Sequence, residues 1–121
     1  MDKPQAVQSR QKRTVRTQAA LKNLSASLQD IYGSDAPQLV LHGSEARGQA
    51  TETSDIDILL VYERAVNPGE EIRRLSAVLA ALNLDYGLLI SVLPVAEAEY
   101  KTATGPFWRN VRREGVMLER L

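Results

Sequence analysis

Two carboxylates one residue apart, Asp55 and Asp57, open the apolar run that continues to Tyr62. Along a strand, residues i and i+2 share a face, so this pair projects side by side, about 6–7 Å apart at the backbone. Such a pair repels itself unless it is solvated or bridged by a divalent cation. A hard cation such as Mg²⁺ takes oxygen ligands, commonly one or two carboxylates together with substrate phosphates. Upstream, the apolar run Gln38 to His42 breaks into Gly43-Ser44. A glycine directly after a strand lets the backbone turn and approach a ligand closely, and a helical turn behind it presents N–H groups to an anion. Ser44 adds a hydroxyl donor. Taken singly, an Asp-x-Asp pair is often a solvated strand start, and Gly-Ser is often a plain turn. Taken together they are the two halves of a nucleoside-triphosphate site, because the metal neutralises the phosphates that the turn positions.

The flanking sequence supplies elements to carry them. Gln5 to Tyr32 contains neither Pro nor Gly, and Leu21, Leu24, Leu28 and Ile31 recur at helical spacing, which predicts one long helix with its apolar stripe in the second half. The first half is polar enough to need no core. Gly33 to Pro37 stops the helix, and the runs 38–42 and 55–63 read as strands, the second with Ile56, Ile58 and Leu60 on one face and Asp57, Leu59 and Val61 on the other. Asn67-Pro68 starts a helix with the stripe Leu75, Val78, Leu79, Leu82. Tyr86 to Val95 reads as a third strand ended near Pro94, followed by a short helix around residues 96–102 and a last helix over 107–114, stopped by Gly115. In that last helix Phe107 and Val111 are expected to face the core, with Arg109, Arg112 and Arg113 outside.

Composition limits the alternatives. A chain of 121 residues, 44% hydrophobic and 25% charged, suits a single domain over 1–121, with 1–32 as a helical extension. No apolar run approaches the roughly 20 residues of a membrane span, and no signal-peptide pattern opens the chain, so the expected setting is cytoplasmic without membrane contact. There is no cysteine and one histidine, His42, so a metal here must be held by oxygen. Net charge is zero, which argues against nucleic acid as the partner, but residues 1–30 are basic and residues 31–75 acidic. A solvated helix face accounts for the basic arm more simply than an anionic partner.

The pattern Gly43-Ser44-x-x-x-Gly48-x₅-Ser54-Asp55-x-Asp57 resembles the signature of the polymerase beta-like nucleotidyltransferase superfamily, and most of all its minimal nucleotidyltransferases. The resemblance implies an α/β (α+β) fold, a small mixed sheet with helices on one side, here carrying a long N-terminal helix. It assigns Gly43, Ser44, Arg47, Gly48 and Ser54 to nucleotide binding, and Asp55 and Asp57 to catalysis and to Mg²⁺. It implies transfer of a nucleoside monophosphate, usually from ATP but open to other nucleoside triphosphates, onto a hydroxyl. Arg47 suits either a phosphate or a brace for the acidic pair. His42 reads as the end of a buried strand, and Glu45 as solvent-facing, since an acid aimed at a triphosphate opposes its binding.

The superfamily also has a third carboxylate in its third strand. Matching the segment 95–100 to the one that follows that strand puts Ser91 at the acid's position, while Asp85 lies six residues too early. Removing a base typically costs ~10²–10⁴ in rate, so nucleotide binding is expected more firmly than turnover. Minimal proteins of this kind resemble the antitoxin partners of HEPN ribonuclease toxins, which they bind and in some cases adenylylate. Two functions follow as expectations: a nucleotidyltransferase acting on a helical partner protein, or a weakly active or inactive module of the same fold that neutralises such a partner by contact. The sequence leaves oligomeric state open, a homo-oligomer included.

Overall fold

A computed structural model describes residues 5–51 and 55–118, with the side chains of the first helix described from Arg13 onward. In chain order the elements are α1 (Gln5–Tyr32), β1 (Gln38–His42), β2 (Ile56–Tyr62), α2 (Pro68–Tyr86), β3 (Ile90–Ala96), α3 (Glu97–Thr102), α4 (Pro106–Glu114) and β4 (Val116–Leu118). The four strands form one sheet in the order β3-β2-β1-β4. β1 is antiparallel to both β2 and β4, and β2 is parallel to β3 through the α2 crossover.

The alternation read from β2 divides the core. Ile56, Ile58, Leu60 and Tyr62 face α1 and α2, where Leu21, Leu24 and Leu28 of α1 meet Leu75 and Leu82 of α2. Each such leucine contributes about 1.5–3 kcal/mol when fully buried, which is what holds a helix whose first half is polar. Ile31, expected in the stripe, is 37% exposed, and its neighbour Tyr32 takes the inward position. There the Tyr62 hydroxyl donates to Tyr32 at 3.0 Å, and Tyr32 donates to the buried Glu71. Arg64 pairs with Glu71 at 3.3 Å, so one polar network ties α1, β2 and α2. The opposite sheet face carries a smaller cluster, Val40, Leu59, Val61 and Val95, packed by Val111, Trp108 and Tyr100 from α3 and α4.

Three boundaries differ from the sequence reading. α2 runs on to Tyr86, the residue read as the start of the third strand, and ends at Gly87; β3 therefore starts at Ile90 and continues through Pro94. A proline is tolerated there because β3 is an edge strand, with a row of backbone groups that needs no ladder partner. β4 was not legible: three residues long, it is defined only by pairing with β1. Gly115 makes that return possible, since a Cβ there would stand 2.9 Å from a Val40 methyl and 2.4 Å from the Val111 carbonyl oxygen. No helix among the described residues is long and apolar enough to cross a membrane.

Candidate functional site

β1 and β2 end and begin side by side, with His42 the register partner of Asp57. Asp57 in turn pairs with Ser91 across the parallel β2–β3 ladder. Register partners share a face, so His42, Asp57 and Ser91 form one row across the sheet on the side away from α1 and α2. Asp55 lies just before β2, exposed, and Asp57 is half-buried. The backbone between them is pinned by the Ile56 N–H, which donates to the Leu89 carbonyl at 2.8 Å.

The turn after β1 is built around the same aspartate. Gly43 has φ +72°, a region L side chains rarely adopt, and a Cβ there would stand 2.7 Å from Asp57 Oδ2. Glycine is thus required twice, by the backbone and by the carboxylate packed against it. Arg47 N–H donates to the Gly43 carbonyl, Gly48 N–H to Glu45 and Gln49 N–H to Ser44, closing a helical turn over 43–48 in which Gly48 has φ +69°. Ser44, Glu45 and Ala46 form the N-terminal end of this turn, the kind of position where an anion is favoured.

Glu45 corrects the expectation that it faces solvent. Its side chain is 13% exposed and pairs with Arg13, itself 6% exposed, on α1. Arg16 also turns inward, its guanidinium 3.5 Å from the Tyr86 carbonyl that accepts from it. Part of the basic arm therefore answers the acidic middle of the same chain. The physical reason is proximity: α1 lies within reach of the turn, and either charge buried alone would cost more than the pair.

Arg47 reaches neither member of the aspartate pair; it lies 3.6 Å from Glu114 of α4, and its Nε donates to Gln49 at 3.1 Å. It bridges the turn to α4. Phe107 is also displaced from its expected role. It is 43% exposed and meets His42 edge-to-face at 5.8 Å, while Trp108 and Val111 form the inward stripe of α4. His42 is half-buried, and burial lowers its pKa against the opposing pull of Asp57. Ser54 lies outside the described residues.

The donors suit a hard divalent cation: two carboxylates at the start of one strand, next to the glycine turn after β1. Among the described residues no group of three His, Cys, Asp or Glu side chains converges on a metal position. Asp85, the other acid weighed for the third strand, is exposed on α2.

Residues 21–112 match the family model described as nucleotidyltransferase domain. The chain belongs to this family. A Methanocaldococcus jannaschii protein with an inferred protein-adenylyltransferase assignment is 33% identical over 100 residues, which cover 82% of this chain and 94% of that protein. Among solved structures, this nucleotidyltransferase domain superposes on a Sulfolobus solfataricus protein with an inferred nucleotidyltransferase assignment at a TM-score of 0.65 and 19% identity, covering 97% of this chain and 89% of that one. It also superposes on a toxin–antitoxin structure with AMP-PNP at a TM-score of 0.53 and 18% identity, covering 79% and 70%. Both likenesses concern the fold. The mixed sheet is as the motif implied and the long N-terminal helix as the leucine stripe predicted, but helices cover both sheet faces where one covered side was expected: α1 and α2 pack on one, α3 and α4 on the other, because both faces of β2 are apolar.

Proposed function

We propose that this nucleotidyltransferase-domain protein transfers a nucleoside monophosphate, AMP from ATP, to a hydroxyl of a partner protein. The observation that carries the reading is the close packing of the Gly43 backbone against the Asp57 carboxylate, which puts the glycine turn beside one member of the aspartate pair. Gly43 and Gly48 shape the turn, the N–H groups of residues 44–46 and the Ser44 hydroxyl hold phosphate oxygens, and Ser54 adds a donor beside Asp55. Arg47 holds the turn against α4. Asp55 and Asp57 would hold Mg²⁺, which supplies neutralisation of the phosphate charge as pyrophosphate departs. The acceptor oxygen attacks the α-phosphorus, the bond to the bridging oxygen of pyrophosphate breaks, and the hydroxyl proton passes to solvent. A relative assigned as a protein adenylyltransferase supports a protein as acceptor. The toxin–antitoxin fold neighbour supports a toxin as that protein, and hence an antitoxin role; a helical HEPN ribonuclease is the partner we propose.

A second reading has its own observation. Ser91 stands opposite Asp57, where the superfamily's third carboxylate is expected, and a hydroxyl there neither binds a second cation strongly nor takes a proton. A weakly active or inactive module that neutralises its partner by contact fits that site.

The test is to incubate the protein with labelled ATP, Mg²⁺ and the product of its neighbouring gene, and to look for nucleotide added to the partner. The transferase reading expects label that disappears in Asp55→Asn/Asp57→Asn. Label that persists unchanged in that variant removes the proposed metal site. No label, with partner binding intact in the double variant, leaves the contact module.

A further inference from the structure

α2 presents a face that the fold leaves without a neighbour. Its buried positions are Glu71, Leu75 and Leu82, which turn one side of the helix toward the core. Arg73, Ala77, Ala80 and Leu84 recur three and four residues apart on the opposite side, flanked by Ser76 and Ala81, and all six are exposed. Leu84 is 84% exposed, a large apolar side chain with almost no cover. A solvated helix face normally carries charge, yet the ten residues from Leu75 to Leu84 carry none. Ser76 adds no polar demand, because its hydroxyl donates to the Arg73 carbonyl of its own helix at 2.9 Å. The charges lie at the two ends of this stretch. Arg74 is taken up by Glu71 at 3.8 Å, whereas neither Arg73 nor Asp85 forms an ion pair among the described residues. Asp85 also sits in the last turn of α2, where the helix dipole favours a cation and the helix supplies none.

We infer that this face binds the same face of a second copy of the chain, with the two α2 helices antiparallel about a two-fold axis passing beside Leu79. In such a pair residue i meets j and j meets i, so positions equally far from the axis must complement each other. Arg73 and Asp85 are equally far from Leu79, and so are Ala77 and Ala81. Each copy's Arg73 therefore meets the other's Asp85, at two places about 18 Å apart along the helices. The alanines at the centre let the backbones approach closely, and each Leu84 covers the other copy's stretch between Arg73 and Ala77. Charge selects a second copy as the occupant: the face offers a cation and an anion in an order that its own antiparallel repeat answers at both ends. The row of His42, Asp57 and Ser91 lies on the sheet side away from α2, so both sites stay open in the dimer. The inference holds whether or not those sites turn over.

One helix pair is small beside a standard interface, so the dimer belongs at the weak end of the affinity scale. Sedimentation equilibrium of the protein alone, from about 10 μM to about 1 mM, is expected to move from the 13.4 kDa chain mass toward twice that mass. Ala80→Arg sets a cation at the centre of the pair and is expected to hold the protein monomeric, with its thermal midpoint unchanged because the position is exposed. Arg73→Asp and Asp85→Arg are each expected to weaken association about 10-fold, since each replaces two exposed pairs by like-charge contacts. The swap Arg73→Asp/Asp85→Arg is expected to restore it, because opposite charges again meet across the axis. The proposal is overturned if the mass stays at one chain throughout, if Ala80→Arg still dimerises, or if the swapped protein associates no better than the single variants. A parent protein that is monomeric alone, and whose Ala80→Arg variant loses its neighbouring gene's product, assigns the face to that product and overturns self-pairing.

Discussion

Asp57 on β2 and Ser91 on β3 are register partners across a parallel strand pair, on the sheet face that also carries His42. One side chain in that row is acidic and its neighbour is a hydroxyl, so charge at the site is concentrated on Asp55 and Asp57. The transferase reading and the contact-module reading make different predictions for position 91. Ser91→Asp is expected to raise nucleotidyl transfer by about 10²-fold, the lower end of what a positioned base supplies. Adding a third carboxylate also adds repulsion, so the variant's thermal midpoint should fall without Mg²⁺ and recover with it. Unchanged transfer in a folded Ser91→Asp protein means that the vacant position is elsewhere.

Gly43 is where the turn and the aspartate pair touch. Gly43→Ala combines a positive φ with a Cβ 2.7 Å from Asp57 Oδ2. It is expected to cost about 1–3 kcal/mol of stability and to abolish measurable Mg·ATP binding. Chemical denaturation and calorimetry read the two effects separately. Binding that survives intact argues against the packed turn as the phosphate site.

The Arg13–Glu45 pair predicts that the N-terminal helix supports the site. Truncating either partner leaves a largely buried charge, at about 3–5 kcal/mol for a fully buried pair. Arg13→Ala and Glu45→Ala should each destabilise by more than the double variant's excess over either one. A double-mutant cycle with no coupling would place the pair among ordinary surface contacts.

Acid stability should depend on Glu71. Burial raises its pKa, but hydrogen bonds from Tyr32 and Arg64 and the charge of Arg74 outweigh that, and the net shift is downward. A carboxylate whose folded pKa is depressed contributes stability that is present above its unfolded pKa and is lost as pH falls through the folded one. Unfolding free energy should therefore decline below about pH 4.5, and Glu71→Gln should be less stable at neutral pH with a shallower acid limb. Burial and its bond to Tyr32 raise the Tyr62 pKa, which puts the corresponding loss on the alkaline side, beyond the ordinary tyrosine range.

The sequence by itself determined the family pattern and most of the elements that carry it. Gly43-Ser44 and Asp55-x-Asp57 are short-range patterns whose meaning depends on chain geometry within a few residues, and the α1 range from Gln5 to Tyr32 follows from an unbroken stretch with a leucine stripe. The alternation in β2 likewise sorted Ile56, Ile58 and Leu60 from Asp57 and Leu59, because side-chain direction in a strand is fixed locally. Only the tertiary structure decided which distant groups meet. Glu45 finds Arg13 across 32 positions, Arg47 finds Glu114, and β4 exists only because Gly115 lets the chain return to Val40. Phe107 illustrates the limit most clearly. Helical periodicity paired it with Val111 as a core stripe, yet α4 packs on the sheet with Trp108 inward and leaves Phe107 beside His42. Periodicity fixes which residues share a face; the packing of that face against a particular neighbour is a long-range fact, set by the whole sheet.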